Sequence, residues 1–316
     1  MKKIIAIITS ICLVTVTLNS QVLKPFTAEN EKYGFKDETG KVIIPTIYDY
    51  VNEFADGRAV VVLKEKYGFI DKTGKKITPL KYQYAENFSN EFARVKLNDK
   101  WGFINKSGKE ITSLKYDDAK SFSLAFTNVR VHDKYGFINK NGKEITEIKY
   151  NNVWGYSEGL AKIQLKDKYG YVDSTGKEVI PPIYNSIHDI KKGVALFERN
   201  KKYGFVDKTG KEVTSLYDYA EGFSEGLAKV QINYKYGFID STGKEVIPLK
   251  YGDAIGFSDG LSGVKSGTKW GFIDLTGKEV ISPIYDAVVN YFLSGKARVR
   301  IKDKTFFIDK TGKEIQ

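Results

Sequence analysis

The sequence predicts an all-β protein built from tandem repeats of about 34 residues. Three observations lead to this fold class. A string close to Lys-Tyr-Gly-Phe-Ile-Asp-Lys-Thr-Gly-Lys-Glu-Val-Ile recurs along the chain. Apolar and polar residues alternate along short segments, as they do in half-exposed strands. No stretch has the sustained helical periodicity that a repeat of paired helices would need.

The repeat is marked by a step from an aromatic residue to glycine, which occurs eight times before a degenerate ninth copy at Thr305-Phe306. Successive copies are 33 to 35 residues apart. A fixed period of this size is the signature of a protein whose repeats stack on one another. The eight steps begin at Tyr33, Tyr67, Trp101, Tyr135, Tyr169, Tyr203, Tyr236 and Trp270.

Each repeat is expected to form a meander of three strands. The first is the Tyr-Gly-Phe stretch, such as Tyr67 to Asp71, and a Lys-Thr-Gly turn follows it. Glycine adopts a positive φ at no steric cost, and the Asp before the turn can accept backbone hydrogen bonds in an Asx turn. The second strand is the stretch like Lys177 to Ile180. The third alternates apolar and polar residues, as between Leu160 and Lys166.

The strand count favours one architecture over another. A propeller blade normally has four strands, whereas each repeat here is expected to have three. We therefore expect three-stranded meanders stacked in an open solenoid or superhelix. The alternative is a closed β-propeller-like ring, which the offset ends of the repeat region could complete. In either form no repeat can bury its apolar faces alone, so stability must come from neighbour stacking.

Residues 1–20 have the pattern of a signal peptide. Lys2 and Lys3 precede an uncharged, mostly apolar run that is short for a membrane span. Removal of this segment would leave 21–316 as a single repeat domain of about nine units, the last incomplete. No transmembrane segment and no cysteine would then remain, since Cys12 is the only cysteine. We expect a secreted or periplasmic protein.

Composition disfavours most enzyme chemistry. His132 and His188 are the only histidines, so no His-rich metal site can form. Cys12 is the only cysteine, so no thiolate metal site can form either. The Gly-Lys of each turn is never followed by the Ser or Thr of a phosphate-binding loop, and no repeat is broken by a buried acidic pair. We expect no catalytic residue, no metal and no cofactor. The cations are 44 Lys and only 6 Arg, which argues against nucleic-acid binding in an exported protein.

The repeats resemble the WG, or KWG, repeat family of bacterial proteins. The shared signature runs Lys, Tyr or Trp, Gly, Phe or Tyr, then Ile, Val or Lys, then Asp or Asn, and after two further residues Gly, Lys, any residue and Ile or Val. It covers essentially all of residues 31–316. Tyr usually replaces the Trp of the family. The resemblance implies an exported or envelope-associated β-repeat protein of binding or scaffolding type, and it implies no catalytic residue.

One loop position is regular in place but variable in chemistry, as expected of a binding surface on a repeat protein. It lies four residues after the Tyr that follows each second strand. Our hypothesis is that Trp154, Tyr156 and His188 line part of a contact surface, and the alternative is neutral drift in an exposed loop. The position is occupied by Asn52, Glu86, Lys120, Trp154, His188, Glu221, Ile255 and Val289.

These observations predict a non-enzymatic, exported repeat protein that offers an extended surface for binding or scaffolding. Its partner would be a protein or an anionic polysaccharide of the cell envelope. One alternative is a carbohydrate-active enzyme or a regulatory module of such an enzyme. A pair of acidic residues facing a cleft would favour this alternative. A second is a structural spacer of the envelope that has no specific ligand.

Overall fold

A computed structural model describes residues 22–29, 31–123 and 125–315, so the predicted signal peptide, residues 1–20, lies outside the described residues. The regular structure in these ranges is β-strand, which confirms the predicted all-β class. No helix among them is long and apolar enough to cross a membrane. The chain divides into two compact units, Met1–Phe122 and Ser123–Gln316, and the same repeat builds both.

In the described part of the first unit, β1 to β3, β4 to β6 and β7 to β9 form three sheets in chain order. The strands of this unit are β1 (Lys24–Thr27), β2 (Tyr33–Lys36), β3 (Val42–Tyr48), β4 (Tyr50–Val51), β5 (Arg58–Leu63), β6 (Lys66–Asp71), β7 (Tyr84–Ala85), β8 (Phe92–Leu97), β9 (Lys100–Asn105) and β10 (Asp118–Ala119).

In the second unit, β11 pairs with β12, and the later strands form sheets β13 to β16, β17 to β19, β20 to β23, β24 to β27 and β28 to β31. The strands are β11 (Phe126–Val131), β12 (Lys134–Asn139), β13 (Asn152–Ser157), β14 (Leu160–Leu165), β15 (Lys168–Asp173), β16 (Glu178–Tyr184), β17 (Ser186–Ile187), β18 (Val194–Arg199), β19 (Lys202–Asp207), β20 (Tyr219–Ala220), β21 (Leu227–Ile232), β22 (Lys235–Asp240), β23 (Glu245–Tyr251), β24 (Asp253–Ala254), β25 (Leu261–Ser266), β26 (Lys269–Asp274), β27 (Glu279–Tyr285), β28 (Ala287–Leu293), β29 (Lys296–Ile301), β30 (Lys304–Asp309) and β31 (Glu314–Ile315).

Each sheet, here termed a module, is built around an antiparallel hairpin. The alternating strand of one sequence repeat pairs with the Tyr-Gly-Phe strand of the next, as between β21 and β22, where Val230 lies opposite Gly237. A two-residue strand such as β20 precedes this hairpin in several modules. The modules therefore have three or four strands, and the short leading strand is the element that sequence periodicity did not predict.

The second strand predicted for every repeat forms as a seven-residue strand only where Ile lies four residues after the turn glycine, as in β23. Where Thr lies there instead, its Oγ accepts a hydrogen bond from the backbone N–H of the central Phe, and the residues on either side of the Thr form only isolated bridges. The four pairs are Thr78 with Phe69, Thr112 with Phe103, Thr146 with Phe137 and Thr214 with Phe205, at 3.1, 3.0, 2.9 and 3.0 Å.

The turn after each Tyr-Gly-Phe strand is the Asx turn that the sequence predicts. In one module Asp240 Oδ1 accepts hydrogen bonds from Thr242 N at 2.9 Å, Thr242 Oγ1 at 2.6 Å and Lys244 N at 3.1 Å. Gly243 has a φ of +87°, and a Cβ there would lie 2.2 Å from the carbonyl oxygen of Val213 in the preceding module. Glycine is thus required at this position for two reasons, the backbone conformation and the close stacking of the modules.

Modules within a unit pack on their neighbours in chain order. Phe238 is 1% exposed because it clusters with Tyr251 of its own module and with Ala254, Phe257 and Val264 of the next module. None of the sheets in the described ranges closes into a barrel. The expected class, an all-β protein of tandem meanders that stack on their neighbours, is confirmed, with three or four strands in each sheet instead of three.

Candidate binding cleft

A cleft of about 630 Å³ lies in the second unit between the module of β13 to β16 and that of β17 to β19. Trp154 and His188, two of the three residues singled out in the sequence, line it from opposite modules. Val194 and Leu196 are buried in its apolar floor. The structure therefore brings the two unusual residues of the variable loop position to one site.

Trp154 reaches the cleft because its strand is irregular. β13 has six residues where most modules have a two-residue strand, and the pairing with β14 shifts register between Val153 and Tyr156. This bulge turns Trp154 outward, where it is 42% exposed and lies 5.8 Å from Tyr169, centroid to centroid. The two rings form an aromatic wall.

Tyr156 does not line the cleft. Its ring packs edge-on against Phe126 of the preceding module at a centroid distance of 4.9 Å, beside a buried apolar cluster that both modules share. After the bulge that exposes Trp154, the side chain two residues later faces the core again. Tyr156 thus contributes to the packing beneath the site.

Lys162 lies between the two aromatic rings, and sequence reasoning missed it. Its Nζ is 5.5 Å from the Trp154 ring centroid and 5.4 Å from that of Tyr169, and it donates a hydrogen bond to the carbonyl oxygen of Ile187 in the next module. Burial lowers the pKa of Lys162, and the carboxylate of Asp189 offsets part of this effect. The signal that could have found Lys162 is its outward position on an alternating strand, opposite Tyr171.

The backbone of His188 is fixed from two sides. Its N–H donates to the carbonyl of Leu196 at 2.8 Å, and its carbonyl accepts the hydroxyl of Tyr171 at 2.9 Å. Burial is the main reason that the pKa of the Tyr171 phenol is raised, so this hydroxyl stays a donor. The imidazole itself is exposed at the rim, free of these constraints.

Two other modules hold a cation in the same way. Arg94 lies 4.2 Å from the Trp101 ring and donates to the carbonyl of Ala119. Lys229 lies 5.6 Å from each of the Tyr219 and Tyr236 rings and donates to the carbonyl of Ala254 at 3.0 Å. A cation that lies against an aromatic ring and donates to a carbonyl is therefore a recurring contact, and Lys162 is one instance of it.

The carboxylate partner of the cation is what differs at the cleft. Glu86 pairs with Arg94, and Glu221 pairs with Lys229 at 2.7 Å. The variable loop position supplies both glutamates, and at the cleft it supplies Trp154. Within the described ranges, no carboxylate lies within ion-pair distance of Lys162. The cleft thus combines an exposed indole with a positive charge that the other two modules neutralise.

The chain belongs to the family of proteins with a WG containing repeat, which it matches in eight consecutive stretches between residues 33 and 304. The stretches are 33–67, 67–101, 101–135, 135–169, 169–203, 203–236, 236–270 and 270–304. This membership confirms the resemblance drawn from the sequence. No curated protein is similar enough to the chain to count as a relative.

Solved structures are similar to the chain only distantly. A eukaryotic initiation factor is 9% identical over 92% of this chain and 94% of its own, with a TM-score of 0.35. Hsv2p of Kluyveromyces lactis is 11% identical over 71% of this chain and 91% of its own, with a TM-score of 0.28. The extracellular domain of a putative one-component system from B. thetaiotaomicron is 10% identical over 91% and 52%, with a TM-score of 0.31.

Proposed function

We propose that the protein is a non-catalytic, exported binding protein and that the cleft between Trp154 and His188 takes an acidic saccharide of an envelope polysaccharide. The observation that carries this proposal is the presence of Trp154 where comparable modules place a glutamate. The substitution leaves the charge of Lys162 available to a ligand and adds an exposed ring beside it. Export rests on the pattern of residues 1–20.

The chemistry of the cleft suits a carboxylated sugar. The apolar face of a sugar ring can pack on the wall formed by Trp154 and Tyr169. A carboxylate on that ring would meet Lys162, whose ammonium group has three donors and gives one to Ile187. Asn185 and His188 at the rim offer further hydrogen-bonding groups for hydroxyls. A protein partner is the second candidate within the same class, and the test below separates the two.

The lining of the cleft supports binding rather than hydrolysis. A glycosidase of the usual kind needs two carboxyl groups facing the scissile bond. Asp189 is the one carboxylic acid among the described lining residues. We therefore expect no release of reducing ends when the protein is incubated with the acidic oligosaccharide below, and turnover would favour the enzyme alternative.

The substitution Trp154→Ala tests the site. We expect the full chain to bind tetragalacturonate in a calorimetric titration and the variant to bind it about tenfold more weakly, because a buried aromatic contact is lost. Neutral galactotetraose should bind both proteins weakly, because Lys162 then has no anion to meet.

The matched control is Tyr219→Ala, which removes a ring from the cation site that Glu221 neutralises. This variant should bind tetragalacturonate as the unmodified chain does. Equal binding by Trp154→Ala and the unmodified chain would contradict the proposal, as would equal affinity for the neutral oligosaccharide. If neither oligosaccharide binds, the spacer or a protein partner becomes the better interpretation.

A further inference from the structure

The last sheet presents a face on which exposed apolar and cationic side chains lie together. Tyr291 is 55% exposed, Leu293 62% and Phe307 37%. With Lys296 and Arg298 they border a shallow groove of about 280 Å³. We refer to these five residues as the terminal face. It belongs to the module of β28 to β31 and is separate from the cleft at Trp154.

The terminal face arises from a local change in the repeat. β28 has seven residues where β24 has two, and its pairing with β29 shifts register on both sides of Asn290. Phe292 packs on Phe272 at 4.9 Å, as Phe257 packs on Phe238 at 4.8 Å one module earlier. The lengthened hairpin keeps this core contact and adds exposed side chains on either side of it, at Tyr291 and Leu293.

In the preceding modules the corresponding face stacks on the next module. Leu227 and Phe238 are buried in that contact. By their place in the repeat, Lys296 corresponds to Leu227 and Phe307 to Phe238. A lysine in place of a buried leucine makes the terminal face a poor surface for stacking another module, because burial of its charge would be costly.

A second copy of the chain would also stack poorly on the terminal face. The first sheet also carries lysines, Lys24 and Lys36, and Lys36 takes the place that the buried Ile273 holds in a later module. Its Nζ lies 5.5 Å from the Phe26 ring. Stacking this sheet of one copy on the terminal face of another would set cations against cations.

Within residues 125–315, no acid forms an ion pair with either cation of the terminal face. Asp309 lies opposite Lys296 in register, but its carboxylate accepts hydrogen bonds from Thr311 and Lys313 in the turn. Glu314 pairs with Lys304 at 2.8 Å. Lys296 and Arg298 instead lie 5.4 and 5.8 Å from the Phe307 ring. The groove therefore has a positive rim and an apolar base.

We propose that the terminal face docks on the surface of an anionic lipid bilayer. Tyr291 and Leu293 enter the interfacial region, where an aromatic and an aliphatic side chain lose contact with water. Lys296 and Arg298 meet the lipid phosphates, whose negative charge complements these two cations. A hydrated polysaccharide would satisfy the two cations but would gain nothing from an exposed leucine, so the apolar side chains favour the bilayer.

Vesicle flotation of the full chain tests this proposal. We expect binding to vesicles of equimolar phosphatidylcholine and phosphatidylglycerol, little binding to phosphatidylcholine alone, and a decrease as salt rises. Leu293→Ser should weaken binding about tenfold, and Lys296→Ser with Arg298→Ser about twentyfold, since each cation near an anionic surface contributes separately. These side chains are exposed, so the variants should fold.

Matched controls remove similar groups elsewhere. Tyr234→Asn removes a ring that is 86% exposed, and Lys201→Asn with Lys235→Asn removes two exposed cations. Both controls and Trp154→Ala should bind vesicles as the unmodified chain does, which separates this surface from the cleft.

Three results would overturn the proposal. The first is vesicle binding that is absent, or equal for neutral and anionic lipids. The second is binding of dextran sulfate that needs Lys296 and Arg298 but not Leu293, because the occupant would then be a polyanion. The third is a sedimentation coefficient that rises with concentration and falls with Leu293→Ser, because the face would then join two copies of the chain.

Discussion

At the scale of single residues, one position decides how each module satisfies its central backbone amide. Where Ile lies four residues after the turn glycine, the backbone of a regular strand pairs with the Tyr-Gly-Phe strand, as Ile247 pairs with Phe238. Where Thr lies there, the side-chain hydroxyl takes over as acceptor. Both solutions meet the same requirement, since an unpaired buried N–H is costly. A sequence that looks uniform therefore encodes two local structures.

Thr112→Val tests this exchange. Thr112 is buried, and its Oγ1 accepts from the N–H of Phe103 at 3.0 Å. Valine keeps the shape but leaves that N–H without an acceptor, so we expect the free energy of unfolding in urea to fall by about 1–3 kcal/mol. Thr112→Ser keeps the oxygen and should lose less. If the two variants are equally destabilised, the methyl group and not the hydrogen bond is what matters.

At the scale of elements, a carboxylate from one module holds the turn of the next. Glu158 accepts hydrogen bonds from the N–H groups of Lys192 and Gly193, at 3.0 and 2.9 Å. Glu225 does the same for Gly260 at 2.9 Å, and Asp259 for Gly295 at 2.7 Å. The turn residues have positive φ, and a carboxylate of the neighbouring module accepts hydrogen bonds from their N–H groups.

Glu158→Ala should loosen this contact between modules. We expect a loss of about 1–2 kcal/mol in the free energy of unfolding, since two charge-assisted hydrogen bonds disappear. The amides of Lys192 and Gly193 should exchange faster with deuterium, whereas amides in β21 and β22 should not. Glu53→Ala removes an exposed carboxylate elsewhere and serves as the control. Unchanged exchange at Lys192 and Gly193 would show that the contact does not hold the turn.

At the scale of the whole molecule, the repeat made the fold class, the hairpins and the Asx turns predictable from sequence. It also drew attention to Trp154 and His188. A position that recurs in every repeat but carries different residue types can be recognised from a single sequence. The alternating strand marks Lys162 as an outward-facing residue, but its contacts in the cleft were not predictable, because they depend on a bulge and on a carbonyl of the next module. Tyr156 was misleading for the same reason, since the bulge determines which aromatic residue faces out.

The repeated Asx turns should make the protein sensitive to acid. Hydrogen bonds from Thr242 and from the backbone hold the pKa of Asp240 below its ordinary value of 3.8, although slight burial acts the other way. Asp274 and Asp309 are held low by the same kind of contact. Below pH 3.8 these aspartates take up protons in the unfolded chain, whereas in the folded protein they stay ionised until a lower pH. Their contribution is therefore present above that value and is lost as pH falls through the lower, folded pKa.

Replacing these three aspartates by asparagine tests that account. Asn105 shows that the amide can serve in the turn, because its Oδ1 accepts from Ser107 N at 3.0 Å and Lys109 N at 3.1 Å. The triple variant Asp240→Asn, Asp274→Asn, Asp309→Asn should be slightly less stable than the unmodified chain at neutral pH, because hydrogen bonds to a charged acceptor are stronger. Its urea midpoint should fall less as the pH is lowered from about 4 to about 2, a window of roughly two units that begins at the unfolded carboxyl pKa and extends below it. Parallel curves for the two proteins would place the acid sensitivity in other groups, of which the ion pairs of Asp218 and Asp286 are the next to test.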